Sequence, residues 1–488
     1  MRRRFMSPSN IGGINIDNYL TIEALEDGLT AKLSSNVCEY CIDGDGVWKP
    51  LPVFAETESI KSGQTLSFRA NSVVNSSIGI GTFTISKKCN LLGNCMSMLF
   101  GDNAESNFSL SGKNYAFRKL FYNGSTIIEV SENFLHATNL AVGCYAYMFQ
   151  GCTSLTTAPK LPATTLSNNC YRYMFSGCTV LTKLPELPAT ILADSCYYYM
   201  FENCRATLTA PQLPATSLSP SCYFAMFKDC RNLSEAPELP AKNLSSSCYQ
   251  GMFQTCTSLI EAPELPATNL ANNCYLGMFG YCTKLRIAPE LPSENIRSQC
   301  YYSMFQYCTS LEVAPVLPAE HLYSSCYNYM FRGCEKLNYI KAMCLTSLGS
   351  GISEGWLEGV SSTGTFVKNK DATWDVTGVN GVPEGWTAIT DEEVQENTIT
   401  FYISDEIDEP YKIICKEGMT WSEFVNSVYA QGLDVFSNFE LVSYGSYYGI
   451  RVYHKLADWT MTLYNDSSFE ITTDSTEQII DGKIYYCH

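Results

Sequence analysis

Histidine is scarce in this chain: four of its 488 residues are histidine, scattered at His136, His321, His454 and His488. Because histidine is the most frequent general acid and base in enzymes, we expect the protein not to be an enzyme. Charged residues are also few, at 17%, whereas apolar residues reach 45%. This balance is typical of a folded globular protein and argues against a disordered one.

Long apolar runs are missing as well. No stretch of about 18 apolar residues occurs, so we expect no segment that inserts into a membrane. The N-terminal arm, residues 1–16, contains three arginines but no apolar segment behind them, which argues against a secretory signal. Since the 23 cysteines accompany no export signal, we expect reduced thiols in a protein assembled in the cytoplasm.

Positive charge is in deficit, because 49 acidic residues outnumber 32 Lys or Arg and the net charge is −17. Binding to phosphate groups requires clustered Lys and Arg, so we expect no nucleic-acid partner. The acidic excess is concentrated in residues 391–488, which hold 18 Asp or Glu and 5 Lys or Arg. We interpret that segment as a solubilising acidic domain.

The most informative feature that is present is a repeat of 26 residues. Eight units share Cys-Tyr-x-x-Met-Phe-x-x-Cys, and most continue with Leu-x-x-Ala-Pro-x-Leu-Pro, as in residues 248–273. Their first cysteines are Cys144, Cys170, Cys196, Cys222, Cys248, Cys274, Cys300 and Cys326. Degenerate copies at 95–103, 116–140 and 335–344 flank them. We therefore predict one solenoid over residues 95–350, with about ten turns and atypical ends.

Each unit divides into two parts. On a helix, the shared Cys, Tyr, Met, Phe and Cys would lie on one stripe about 140° wide, which predicts a helix with one buried face. The predicted core includes Cys144, Met148, Phe149, Cys152, Cys196, Met200, Phe201 and Cys204. The second part predicts a short strand that ends at the prolines, because proline cannot donate a ladder hydrogen bond.

The repeat pattern, Met-Phe-x-x-Cys and then Leu-x-x-Ala-Pro-x-Leu-Pro, is similar to the Treponema/Bacteroides-type leucine-rich repeats of BspA-like proteins. The resemblance covers about half of the chain. It implies a right-handed solenoid with parallel strands on its concave side, and binding or adhesion rather than catalysis. The Ala-Pro pair departs from the family, which often has an apolar β-branched residue there.

Every unit contains two thiols, which could form disulfides or bind a metal ion. On the predicted helix they are about 12 Å apart, and helices of adjacent units are about 8–10 Å apart, whereas a disulfide needs Cα atoms about 5.5 Å apart. A zinc site needs several converging ligands. We therefore favour core packing without metal or cofactor. Disulfides and a metal site are the alternatives, the latter also for Cys38, Cys41, Cys89 and Cys95.

Two rows of side chains are candidates for binding. The first row lies beside the prolines along the expected concave face and consists of Glu186, Glu238, Glu264 and Glu290. The second row would project from the predicted helices and consists of Tyr147, Tyr173 and Tyr199. Its rings could stack on a sugar or contact a protein. A solvated rim and an oligomer contact are the alternatives.

The flanking segments carry strand and helix signals. We predict a β-rich antiparallel attachment domain in residues 17–94, a C-terminal cap and linker in 351–396, and a small α+β module in 397–488. Thr420 and Glu423 form a capping box that predicts a helix in this module. The expected fold class is multidomain α+β around a central right-handed leucine-rich-repeat solenoid of helix–strand units.

The N-terminal sequence, MRRRFM…NYLTIEALEDGLTAKLS, also resembles the start of repeat proteins from gut Bacteroidales (crAss-like) phages. The resemblance implies a virion protein, a head or tail fibre or decoration protein, assembled in the host cytoplasm. Its implied partners are other virion proteins through the N-terminal domain, a host surface protein or glycan, and further copies of itself in a dimer or trimer. The alternatives are a BspA-like adhesin on the bacterial surface and a glycan-active enzyme, which would need a privileged pair of carboxylates.

Overall fold

The computed structural model describes residues 13–70, 79–312, 314–349 and 351–392, and beyond these the backbone of six strands between 397 and 487. These residues are rich in strands and include one short α-helix, α1 (Ser97–Phe100). The strands expected of an α+β protein are therefore present, whereas the described residues contain few helices. The helix expected around Thr420 and Glu423 lies outside them.

An antiparallel β-structure precedes the repeats. Its strands are β1 (Leu20–Ala24), β2 (Ala31–Leu33), β3 (Cys38–Ile42), β4 (Lys49–Leu51), β5 (Thr65–Ala70), β6 (Phe83–Ile85) and β7 (Cys89–Gly93). A 3-10 turn at Ile16–Asn18 leads into β1. The pairs among these strands are antiparallel, as expected, and β2 and β6 form a separate two-stranded sheet. The alternation of buried and less buried side chains along β2, β6 and β7 places one face of each strand against the core.

The degenerate repeat at 116–140 extends this sheet. Its strand β8 (Ile127–Val130) pairs in parallel with β7, which gives the sheet order β4-β3-β5-β1-β7-β8. Helix α1 and a 3-10 helix, Gly101–Ser106, lie between β7 and β8 in sequence. Because β8 belongs both to the sheet and to the repeats, the two parts are joined by backbone hydrogen bonds.

The predicted repeat helix is wrong, because the segment forms a succession of tight turns. Met148 N–H donates to the Tyr145 carbonyl three residues back (3.1 Å), but Phe149 N–H donates to Met174 in the next repeat (2.9 Å). Along the segment, N–H groups that donate within their own repeat alternate with N–H groups that donate to the next repeat. Every fourth residue has a left-handed φ, as at Gly143 (57°), Tyr147 (61°) and Gly151 (73°), which an α-helix cannot accommodate. We call residues 143–152 and their equivalents in the other repeats the turn ladder.

The core of the turn ladder consists of two columns of stacked rings. One runs from Phe117 through the Tyr of each repeat to Tyr327, with ring centroids 5.5–6.2 Å apart. The other joins Phe121 to Phe331, with centroids 5.5–5.8 Å apart. All eight predicted core residues are fully buried. They are buried because cross-repeat hydrogen bonds hold equivalent side chains in register.

The predicted proline-bearing strands are reduced to isolated parallel bridges, such as Thr157 with Lys183 and Thr165 with Ile191. Ser131, the residue directly after β8, shows the reason, because its N–H donates to the Leu91 carbonyl (2.8 Å). The equivalent residue in the next repeat is Pro159, which has no N–H to donate. Within the described repeats, regular strands therefore form in those that lack these prolines.

After the last proline-bearing repeat, regular strands resume. They are β9 (Tyr339–Ala342), β10 (Gly364–Lys368) and β11 (Trp386–Thr390), all parallel, in the order β11-β10-β9. The turn ladder continues past residue 350, since Phe331 N–H donates to the Trp356 carbonyl (2.9 Å). Trp356 stacks on Tyr327 at 5.8 Å, and its indole N–H donates to the Gly381 carbonyl. The final ring of the tyrosine column is thus covered.

The backbone of the C-terminal segment forms a six-stranded sheet. Its strands are β12 (Asn397–Tyr402), β13 (Tyr411–Cys415), β14 (Phe436–Tyr444), β15 (Tyr447–His454), β16 (Thr460–Tyr464) and β17 (Tyr485–Cys487). The order is β13-β12-β17-β16-β15-β14, and the pairs are antiparallel except for the parallel pair β12 and β17.

Candidate functional site

The 21 cysteines among the described residues are all free and buried. In eight repeats the second cysteine donates its S–H to the Phe carbonyl of the preceding repeat, from Cys152 to Phe121 up to Cys334 to Phe305, at 3.1–3.3 Å. Each of these thiols therefore links two adjacent repeats. A small apolar side chain with one weak donor fits this position, and cysteine is such a residue.

The expected separation of about 8–10 Å between adjacent repeats is wrong, because the repeats do not form helices. Adjacent repeats are joined by backbone hydrogen bonds, which place chains about 4.8 Å apart and bring equivalent cysteines within the usual Cα span of a disulfide. The thiols are nevertheless free. Burial raises the pKa of Cys144 and that of Cys152 to about 12, which disfavours the nucleophilic and metal-binding thiolate. Within the described ranges, no group of three or more His, Cys, Asp or Glu could hold a metal ion.

The glutamate row lies on the extended segments beside the prolines. Its four members are exposed. Glu238, Glu264 and Glu290 come from consecutive repeats, whereas Gln212 interrupts the row after Glu186. This face of the repeats therefore presents carboxylates in register, without a pair that differs from the others.

The tyrosine row has a geometry that differs from the prediction. Tyr147, Tyr173 and Tyr199 occupy left-handed positions of the turn ladder and are half-buried. Their rings stack on one another, at 5.1 Å and 11° for the first pair and 4.9 Å and 8° for the second. Both faces of Tyr173 are consequently covered. The row cannot offer three free ring faces to a sugar, as the sequence suggested.

Cations that the sequence analysis did not single out surround the start of this row. The Arg118 guanidinium and the Lys119 ammonium each lie 5.6 Å from the centroid of the Tyr147 ring. Arg172 lies 4.1 Å from the ring centroid of Tyr198, and its Nε donates to the Tyr147 hydroxyl (3.3 Å). We define the basic aromatic patch as Tyr115, Arg118, Lys119, Tyr147, Arg172 and Tyr198.

Comparison of the chain with protein-family models, curated proteins and solved structures finds no match. Among the helices of the described residues, none has the length and apolar character that crossing a bilayer requires. Function is therefore inferred from the repeats and their surfaces.

Proposed function

We propose that this chain is a non-enzymatic virion structural protein, a head or tail fibre or decoration protein, that displays its repeats for adhesion to a host surface or glycan. The observation that supports the proposal most is the continuity of the turn ladder. Hydrogen bonds connect successive repeats from Tyr115 N–H to Gly333 N–H, whose acceptor is the Glu358 carbonyl. The ladder forms one connected stack between the N-terminal sheet and the strands that follow it.

A connected stack is suited to spacing and display. With about 4.8 Å between hydrogen-bonded chains, roughly ten repeats extend over about 50 Å. Each repeat contacts only its neighbours and presents equivalent positions at a fixed interval, so a weak contact can recur along the stack. We assign the stack to the BspA-like leucine-rich-repeat solenoids, with a right-handed path and with the turn ladder in place of the helix.

Attachment to other virion proteins belongs, in this proposal, to the N-terminal domain. Two apolar side chains near β4 favour it, Val47 and Phe54, which are 58% and 69% exposed. Phe54 also has a left-handed φ of 63°, a costly conformation for an aromatic residue that is consistent with a functional surface. Copies of the chain would associate as a dimer or trimer at the same attachment point.

Immunogold labelling of particles purified from the source tests the location. An antibody raised against residues 95–350 should label intact particles at discrete positions and should not label uninfected cells. Label on cells and none on particles would replace the virion proposal with the alternative, a BspA-like adhesin of the bacterial surface. Binding of the purified chain to host cells tests adhesion separately.

A further inference from the structure

The first repeats differ in charge from the rest of the chain. Residues 107–185 contain six Lys or Arg and two Glu, although the whole chain has a net charge of −17. From residue 133 to residue 185 there is no Asp or Glu. Glu132 forms an ion pair with Lys160, so one of the two carboxylates is already neutralised. This part of the acidic chain therefore carries a local surplus of positive charge at its surface.

The basic aromatic patch lies on this surface. Tyr115 and Arg118 are exposed, and Lys119, Tyr147 and Arg172 are half-buried. Within the described residues, no carboxylate forms an ion pair with Arg118, Lys119 or Arg172. Arg172 is held in place, because its Nε donates to the Tyr147 hydroxyl and its Nη1 to Asn169 Oδ1 at 3.2 Å. Its second terminal nitrogen has no partner among the described residues.

A second repeat-to-repeat contact fixes the geometry of the patch. The Tyr115 ring lies over Gly143, where an added Cβ would come within 2.5 Å of the ring. The guanidinium groups of Arg118 and Arg172 lie over rings of the row, 5.6 Å from the Tyr147 centroid and 5.5 Å from the Tyr173 centroid. The arrangement supplies hydrogen-bond donors with positive charge in fixed positions and supplies few free aromatic faces. Such donors fit carboxylate and sulfate groups.

We propose that the basic aromatic patch binds acidic polysaccharides through their carboxylate or sulfate groups. This inference rests on the proposed adhesive function and names its ligand class. At the other end of the tyrosine row, Glu202 accepts a hydrogen bond from the Ser176 hydroxyl (3.1 Å) and limits the positive surface. The positive surface is therefore small, and a ligand of sparse charge matches it better than a densely charged one.

Nucleic acid is the competing polyanion, and the ring geometry argues against it. Single-stranded nucleic acids bind by stacking bases on free aromatic faces within a long positive groove. Here both faces of Tyr173 are covered, and Tyr198 is covered on one side by Arg172 and stacks on Phe224 at 4.5 Å. The strongly acidic remainder of the chain would also repel a dense polyanion.

Binding of the full chain to immobilised polysaccharides, measured by biolayer interferometry, tests the inference. The probes are hyaluronate, which carries a carboxylate on every second sugar, κ-carrageenan, which carries a sulfate on every second sugar, uncharged dextran, and single-stranded DNA. The variant is Arg118→Gln with Arg172→Gln. The matched control is Lys242→Gln with Lys284→Gln, which removes two exposed cations from later repeats. Thermal unfolding verifies folding, and Arg118→Gln alone replaces the double variant if that variant unfolds.

We expect one or both acidic polysaccharides to bind and dextran not to bind. The double arginine variant should lose at least about tenfold in affinity, as expected for lost charge-assisted hydrogen bonds, and the lysine control should change less than about twofold. The preferred acidic probe identifies the group. Equal affinity of the arginine variant and the unaltered chain overturns the inference, as does tighter binding of DNA or dextran. The proposed adhesive function is contradicted only if the chain binds neither host cells nor any glycan.

Discussion

At the scale of single residues, burial keeps the ladder thiols protonated. The pKa of Cys144 and that of Cys152 rise from an ordinary value of 9.0 to about 12. An unfolded chain loses these protons near pH 9, so between pH 9 and 12 the folded state binds more protons than the unfolded state. The free energy of unfolding therefore decreases as the pH rises through this window and is unaffected below it.

The urea midpoint measured at a series of pH values checks this relation. We expect a constant midpoint from about pH 7 to 8.5 and a steady decrease above about pH 9. Each buried thiol contributes at most about 1.4 kcal/mol per pH unit, and many titrate together. A midpoint that stays constant to about pH 10.5 would show that the folded thiols ionise as easily as unfolded ones.

Gly143 provides a test of ring contact between repeats. Its φ is 57°, and an added Cβ would lie 2.5 Å from Tyr115 ring atoms. Gly112 has a similar φ of 71° but no atom within 4 Å of an added Cβ. Gly143→Ala should therefore destabilise the protein by about 2–4 kcal/mol, and Gly112→Ala by about 1 kcal/mol. Thermal unfolding gives the comparison, and equal losses would mean that the ring moves aside freely.

At the scale of elements, the short period of the turns within each repeat explains why the core was predicted and the backbone was not. In the turn ladder the period is four residues: Cys144, Met148 and Cys152 are equivalent, and so are Tyr145 and Phe149. A helix has about 3.6 residues per turn, and over nine residues the two periods predict the same buried side chains. The core was therefore predicted correctly and the backbone wrongly. Recurrent Gly, Asn and Ser at the left-handed positions were the available signal.

Ser131, at the end of strand β8, allows the effect of proline on a strand to be tested. Ser131→Pro should remove the hydrogen bond to Leu91 and destabilise the protein by about 3 kcal/mol. Ser131→Ala retains the N–H and removes a buried hydroxyl that has no partner, so it should be neutral or slightly stabilising. Chemical denaturation of both variants separates the effect of losing the backbone hydrogen bond from the effect of losing the side-chain hydroxyl. A proline variant as stable as the alanine variant would contradict the explanation for the isolated bridges.

At the scale of the whole molecule, the glutamate row could be placed from the sequence, but the basic aromatic patch could not. A net charge summed over the chain concealed the local surplus of cations in residues 107–185. The cations also come from different repeats, and only the stacking of those repeats brings both to Tyr147, where Arg118 lies over the ring and Arg172 donates to the hydroxyl. Net charge counted in a sliding window along the repeats would have indicated the region, although not the contacts between cations and rings.

The independence of the repeats predicts the result of removing one unit. Deletion of residues 248–273 brings one complete repeat against another in the same register. We expect a folded protein that is shorter by about 5 Å and slightly less stable. Deletion of residues 248–260 removes half a unit and should abolish cooperative unfolding. Small-angle scattering and circular dichroism measure both properties, and a stable half-unit deletion would refute the register.

The tyrosine column also has an optical consequence. From Tyr145 to Tyr327, neighbouring phenol rings are 5.7–6.2 Å apart and within 16° of parallel. Electronic transitions of chromophores this close couple, so the column should absorb and emit as a connected array rather than as eight separate phenols. Its near-ultraviolet circular dichroism and fluorescence depolarisation should therefore change when a single tyrosine is removed from the column. These signals report on the alignment of successive repeats without an added label.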